Sequence, residues 1–105
     1  MEFNVKSRYI IVNIWDDEKV DGDTISINFN GKWILKDYHL VKDKKTLLLT
    51  LEEASTNQLI FHAENLGTIP PNTASIRLEY DGKINEFDVQ SDFDSNAIIQ
   101  LIQKP

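Results

Sequence analysis

Cysteine is missing from the 105 residues, which excludes disulfide bonds and thiolate metal sites. This lack does not fix the compartment, because secreted domains without cysteine exist. No apolar run approaches the roughly 20 residues of a membrane-spanning helix, and the first residues lack the charged-then-apolar pattern of a signal peptide. A chain of this length can bury a core without covalent staples. Because no change of composition divides it, we expect a single domain over residues 1–105 and no membrane span.

Positive charge is scarce. Lys and Arg number 11 against 17 Asp and Glu, which gives a formal net charge of −6. Nucleic-acid binders usually carry a basic patch, whereas the densest basic run here, Lys42-Asp43-Lys44-Lys45, is short and typical of a hairpin tip. We therefore expect no nucleic-acid partner.

Motifs of phosphate, hydrolase and zinc chemistry are absent: there is no Gly-rich phosphate loop, no G-x-S-x-G and no zinc-spaced His pair. His62 and Glu64, two apart on a predicted strand, share a face and have the residue types of a general base. A catalytic base also needs a reacting group placed beside it, and such pairs are usually solvated strand surface. The sequence therefore favours a protein that is not an enzyme, with a small hydrolase or lyase using these two residues as an alternative.

Period-two alternation of apolar residues is the dominant pattern, and it predicts strands with one buried face. It is clean in five segments: Ile10 to Ile14, Ile25 to Phe29, Leu47 to Leu51, Leu59 to Ala63, and Ala74 to Tyr80. Two less regular segments are also predicted as strands: Lys32 to Val41 with a bend near Asp37, and Lys83 to Val89 with a bulge at Asn85-Glu86. Asn96 to Ile102 is a last strand or a short helix, and its isoleucines favour the strand.

Turn residues agree with this interpretation, since Asn30-Gly31 and Asp81-Gly82 are strong hairpin signals. Eight strands without an amphipathic helix between them predict an all-β, antiparallel two-sheet β-sandwich with an immunoglobulin-like or C2-like Greek key. Leu49, Phe61 and Ile76 occupy the centres of clean strands and should form the core.

Acidic residues should gather at one end of this sandwich if strand direction reverses at each connection. The members of this rim are Asp16, Asp17, Glu18, Asp21, Asp23, Glu64, Asp92 and Asp94. Calcium takes six to eight oxygen ligands, so Asp16, Asp17, Asp21 and Asp23 form a candidate calcium site. The alternative is turn chemistry alone, because loops that connect strands prefer aspartate and glycine in any case.

Two tryptophans stand out among the aromatic residues. Trp15 and Tyr9 have the parity opposite to Ile10, Val12 and Ile14, so they face outward or towards a second layer. An outward pair has the chemistry to stack on a sugar ring or a partner protein, whereas the alternative places Trp15 over the end of the sandwich, where it would be largely buried. Trp33 is expected in the core.

Two stretches carry a family resemblance: Trp15-Asp16-Asp17 with Asp21-Gly22-Asp23-Thr24-Ile25-Ser26-Ile27 and Asn30-Gly31, and Ala63-Glu64-Asn65-Leu66-Gly67-Thr68-Ile69-Pro70-Pro71-Asn72-Thr73-Ala74. On these residues the chain resembles small β-sandwich modules of bacterial secreted, periplasmic or envelope-associated proteins. The resemblance covers about Arg8 to Leu101 and implies a sandwich that accompanies larger domains. It implies no particular activity.

Three functional hypotheses follow from these observations. The first is a non-catalytic accessory or binding module that presents end loops or a sheet face to a protein or glycan partner. The second is a structural spacer stabilised by calcium, and the third is the small hydrolase or lyase. The resemblance also implies secretion or attachment to the cell envelope, as part of or partner to a larger protein.

Overall fold

The computed structural model describes residues 1–16, 23–65 and 72–105. Within these ranges the chain forms nine β-strands: β1 (Glu2–Val5), β2 (Tyr9–Trp15), β3 (Thr24–Phe29), β4 (Lys32–His39), β5 (Lys45–Thr50), β6 (Thr56–Ala63), β7 (Asn72–Tyr80), β8 (Lys83–Ser91) and β9 (Ala97–Gln103). The described part of the chain contains no helix long and apolar enough to cross a membrane.

The strands form two sheets, and all but one of their pairings are antiparallel. One sheet has five strands in the order β1-β9-β6-β3-β4, and the other has four in the order β5-β2-β7-β8. The exception is the parallel pair of β1 with β9. The predicted two-sheet antiparallel β-sandwich is confirmed. Within it β3 and β4 are antiparallel neighbours in the five-stranded sheet.

The core lies between the two sheets and is built from the predicted inward positions. Leu49, Phe61 and Ile76, each expected at the centre of a strand, are all buried. Residues opposite one another in adjacent strands put their side chains on the same face, so each alternating strand adds one apolar row. The buried cluster draws on both sheets, which explains how a chain without cysteine holds them together.

Both predicted hairpin turns have the backbone that their residues favour. Asn30 and Gly31 have φ of 51° and 85°, and Asp81 and Gly82 have φ of 51° and 69°. Two successive positive φ values match the twist of paired strands, and Asn, Asp and Gly adopt them at little cost.

The bulge lies in a different strand from the one predicted. The bulge expected at Asn85-Glu86 is wrong, because β8 pairs with β7 in unbroken register from Lys83 to Ser91. The irregular strand is β4, whose register against β3 shifts twice, between Ile25 and Ile27 and between Ile27 and Asn28. The predicted bend near Asp37 is confirmed by its φ of 50°. Two register shifts in one strand decide which of its side chains reach the surface.

Candidate functional site

Backbone hydrogen bonds bring described residues that flank several of the connecting loops together at one end of the sandwich, as expected. At the acidic end, the Asp16 amide donates to the Val41 carbonyl at 2.8 Å and the Leu40 amide donates to the Asp23 carbonyl at 2.9 Å. These bonds join both sides of the 16–23 connection to the segment that leads from β4 to β5. Asp16 and Asp23, two of the four candidate calcium ligands, therefore lie at the base of this connection, and both are buried.

Asp23 takes part in the hydrogen bonding of the acidic end. Its Oδ2 accepts from the Thr73 amide at 3.1 Å. Beside it, Asn72 Nδ2 donates to the carbonyls of Thr24 and Asn65 at 3.0 and 2.9 Å, and the Thr24 amide donates to Asn65 Oδ1 at 2.8 Å. The side chains of Asp23, Asn65 and Asn72 thus fasten the start of β3 to the start of β7. This arrangement is what the turn-chemistry alternative predicts for Asp23.

The calcium ligand set is divided between described and undescribed parts of the chain. Asp17 and Asp21 lie outside the described residues. Among residues 1–16, 23–65 and 72–105, no three His, Asp or Glu side chains are close enough together to hold a metal ion. The calcium site therefore stays a prediction, with Asp16 and Asp23 as its placed members.

The acidic rim members Glu64 and Asp92 interact with residues close to them in the sequence. Asp92 Oδ1 accepts from the amides of Asp94 and Ser95, both at 2.8 Å. These backbone hydrogen bonds lower the pKa of the Asp92 carboxyl below its usual value of 3.8, and the bond from the Asp94 amide has the largest effect. Glu64 Oε1 lies 3.2 Å from His62 Nε2. Asp92 thus shapes the turn before β9, and Glu64 belongs to the outer surface of the five-stranded sheet.

That outer surface carries a row of side chains across four strands. Asn28 of β3 lies opposite Trp33 of β4 and Ile60 of β6, and Ile60 lies opposite Ile98 of β9. His62, two residues after Ile60, faces the same way, and its ring centroid is 6.1 Å from that of Trp33. We call these five residues, Asn28, Trp33, Ile60, His62 and Ile98, the Trp33 face. With strands spaced at about 4.8 Å, the row spans about 14 Å.

Trp33 is exposed at 46%, so its predicted place in the core is wrong. The reason is the second register shift of β4: Leu35 pairs with the inward-facing Ile27, while Trp33 pairs with Asn28 on the outer side. A bulge inserts one residue and reverses the parity of those beyond it. Trp33 consequently presents its indole to solvent, with Lys36 Nζ 5.9 Å from the ring centroid.

The imidazole of His62 is held by two partners. Its Nδ1 lies 2.9 Å from Asn96 Oδ1, and its Nε2 lies 3.2 Å from Glu64 Oε1. The cross-strand neighbour with a hydroxyl group, Ser26, is buried, and its hydroxyl accepts from the Asp37 amide at 3.0 Å. Because both ring nitrogens are engaged, the arrangement fixes the orientation of the ring. The expected partnership of His62 and Glu64 is confirmed, and Asn96 is a partner that the sequence analysis missed.

The opposite, four-stranded sheet has its own exposed residues. Tyr9 faces solvent, as its parity indicated, and so do Leu48 and Ile84. Trp15 differs, since it is only 8% exposed although it belongs to the same parity as Tyr9. Lys44 Nζ lies 4.8 Å from the Trp15 ring centroid. The buried alternative for Trp15 at the end of the sandwich is therefore confirmed.

No protein-family model, curated protein or solved structure matches the chain. The geometry of the chain itself therefore carries the functional argument.

Proposed function

We propose that the chain is a non-catalytic binding module and that its Trp33 face binds a glycan. The observation that carries this proposal is the exposed indole of Trp33, placed in a row with Asn28 and beside the oriented ring of His62. An indole packs well against the apolar C–H face of a sugar. The Asn28 amide provides a hydrogen-bonding group for its hydroxyls, and ligand sites commonly combine an apolar wall with a few polar groups in this way.

Preorganisation supports the same proposal. Asn96 and Glu64 hold the His62 ring, and that ring lies in a T-shaped arrangement with Trp33. A side chain that is already ordered loses less conformational entropy when a ligand binds. Because β6 pairs in unbroken register with β3 on one side and with β9 on the other, regular strand pairing supports the surface from Asn28 through Ile60 to Ile98.

A protein partner is the competing interpretation of this face. A stable protein interface usually covers about 800 Å² on each partner and has an apolar centre. On the Trp33 face the polar Asn28 interrupts the apolar residues Trp33 and Ile60, which favours the glycan. Any role as an accessory to a larger bacterial secreted, periplasmic or envelope protein rests on the sequence resemblance alone.

The test is a glycan array probed with the wild type, Trp33→Ala and Tyr9→Ala. Tyr9 is the matched control because it is an exposed aromatic residue on the other sheet. We expect the wild type and Tyr9→Ala to retain the same glycans and Trp33→Ala to lose about ten- to thirtyfold in affinity, the usual loss for a central Trp. Equal retention of all three proteins, or retention of no glycan by the wild type, would contradict the proposal.

A calcium-stabilised spacer is the second candidate. It is supported by the position of Asp16 and Asp23 at both ends of the acidic segment, because calcium takes its ligands from oxygen atoms such as those of clustered carboxylates. The two candidates are compatible, since the Trp33 face and the acidic connection are built from different residues.

A further inference from the structure

A pocket of about 220 Å³ opens on the outer side of the four-stranded sheet, away from the Trp33 face. Three of its residues form a cross-strand row, because Ser75 lies opposite both Trp15 and Asp88. Glu86 is two residues from Asp88 on the same strand and therefore faces the same way. The pocket is lined by Trp15, Ser75, Ile76, Glu86, Phe87 and Asp88.

The charges of this lining are all negative. Glu86 and Asp88 are its two ionisable residues, and both are exposed. Asp88 Oδ1 accepts from the Ser75 hydroxyl at 2.8 Å, which fixes the carboxylate, and Glu86 Oε1 lies 3.7 Å from Arg77 Nε. The arrangement joins two carboxylates to an aromatic wall, and an ammonium group is attracted to both.

Lys44 shows that the Trp15 ring interacts with an ammonium group in this fold. Its Nζ lies 4.8 Å from the ring centroid, within the distance of a cation–π interaction. Lys44 is exposed and precedes β5, which pairs with β2 on the side away from β7. Because Lys44 is tethered close to Trp15, its charge opposes any second cation in the pocket.

We propose that this pocket binds the alkylammonium group of a lysine side chain in a basic segment of a partner protein. The carboxylates of Glu86 and Asp88 receive the ammonium, and the methylene groups of the lysine pack against the Trp15 indole. Lys44 weakens this binding in the free chain. The proposal does not depend on the glycan assignment, because it uses the other sheet.

The two indole N–H signals of the ¹⁵N-labelled full chain provide the test. The chain has two tryptophans, so Trp15 reports on the pocket and Trp33 is the internal control on the opposite sheet. The probes are Nα-acetyl-lysine methylamide and its Nε-acetylated form, which has lost the charge. We expect the charged probe to move the Trp15 signal with millimolar affinity and the neutral probe to leave it in place.

Three variants separate the proposed contacts from general electrostatics. Glu86→Gln combined with Asp88→Asn should weaken the charged probe about tenfold, and Lys44→Gln should strengthen it about threefold. Glu52→Gln combined with Glu53→Gln removes the same charge from the opposite end of the sandwich and should change little. All these positions are exposed, so the fold should be retained. An equal response to both probes, or equal weakening by both double variants, would overturn the proposal.

Discussion

Replacing Asn57 by alanine should destabilise the fold strongly, because its side-chain amide makes several hydrogen bonds. Asn57 is 0% exposed. Its Oδ1 accepts from Asn30 Nδ2 at 2.8 Å and from the Glu52 amide at 2.7 Å. Its Nδ2 donates to the carbonyls of Glu52 and Ser55, both at 3.2 Å. One side chain therefore joins the β3–β4 turn to the segment before β6.

The expected cost follows from these contacts. Each of the two bonds to Oδ1 contributes about 1 kcal/mol net, and the Nδ2 contacts together contribute about 1 kcal/mol more. Alanine provides none of these groups, so we expect a loss of about 3 kcal/mol in the free energy of unfolding. For a domain of this size that corresponds to a melting temperature lower by about 12–20 °C.

Urea denaturation of the wild type, Asn57→Ala and Gln58→Ala measures this effect. Gln58 is the matched control because it is the next residue of the same strand and faces solvent. Its replacement should change stability by less than about 0.5 kcal/mol. A loss for Asn57→Ala within 1 kcal/mol of the control would mean that these hydrogen bonds do not hold the two turns together, and the reasoning would be refuted.

Three further predictions concern the core, the acidic segment and the turn before β9. Phe61→Ala should cost about 3–5 kcal/mol in urea denaturation, because the side chain is buried in the core, and a cost below 1 kcal/mol would refute its place there. Calcium at a hundred times its dissociation constant should add about 2.7 kcal/mol and raise the melting temperature by about 10 °C or more in the wild type but not in Asp21→Asn with Asp23→Asn. Wild-type melts that coincide in chelator and in millimolar calcium would mean that the acidic segment is turn chemistry only. The pKa of Asp92, followed by NMR, should lie below 3.8. Because this pKa is lowered by folding, its contribution to stability is present above the unfolded pKa and is lost as pH falls through the folded one; a pKa at or above 3.8 would contradict the turn geometry.

Much of the fold could be predicted because the alternation of apolar and polar residues along a strand is visible in the local sequence. Ile10, Val12 and Ile14 alternate without interruption, and strand pairing preserves that alternation. The first strand, β1, was missed because Phe3 and Val5 offer a short pattern whose partner, β9, lies at the other end of the sequence. Parallel pairing between distant segments leaves no turn signal that a sequence would reveal.

The Trp33 face could not be predicted for a related reason. A bulge in β4 decides whether Trp33 points to the core or to solvent, and the register that creates it is set by β3. Ile84 shows the opposite error. It is an apolar residue that faces solvent from a regular strand, and the sequence pattern wrongly indicates a change of parity there. The adjacent isoleucines Ile98 and Ile99 carried one usable signal, because two successive strand residues cannot both face inward.

The measurement that tests the central claim most directly is a ¹⁵N–¹H NMR titration of the full chain with the glycan best retained on the array. The account predicts that the shifted signals belong to the Trp33 face, above all the Trp33 indole, Asn28 and His62, while the Trp15 indole stays in place. Shifts confined to the four-stranded sheet or to the acidic end would contradict it.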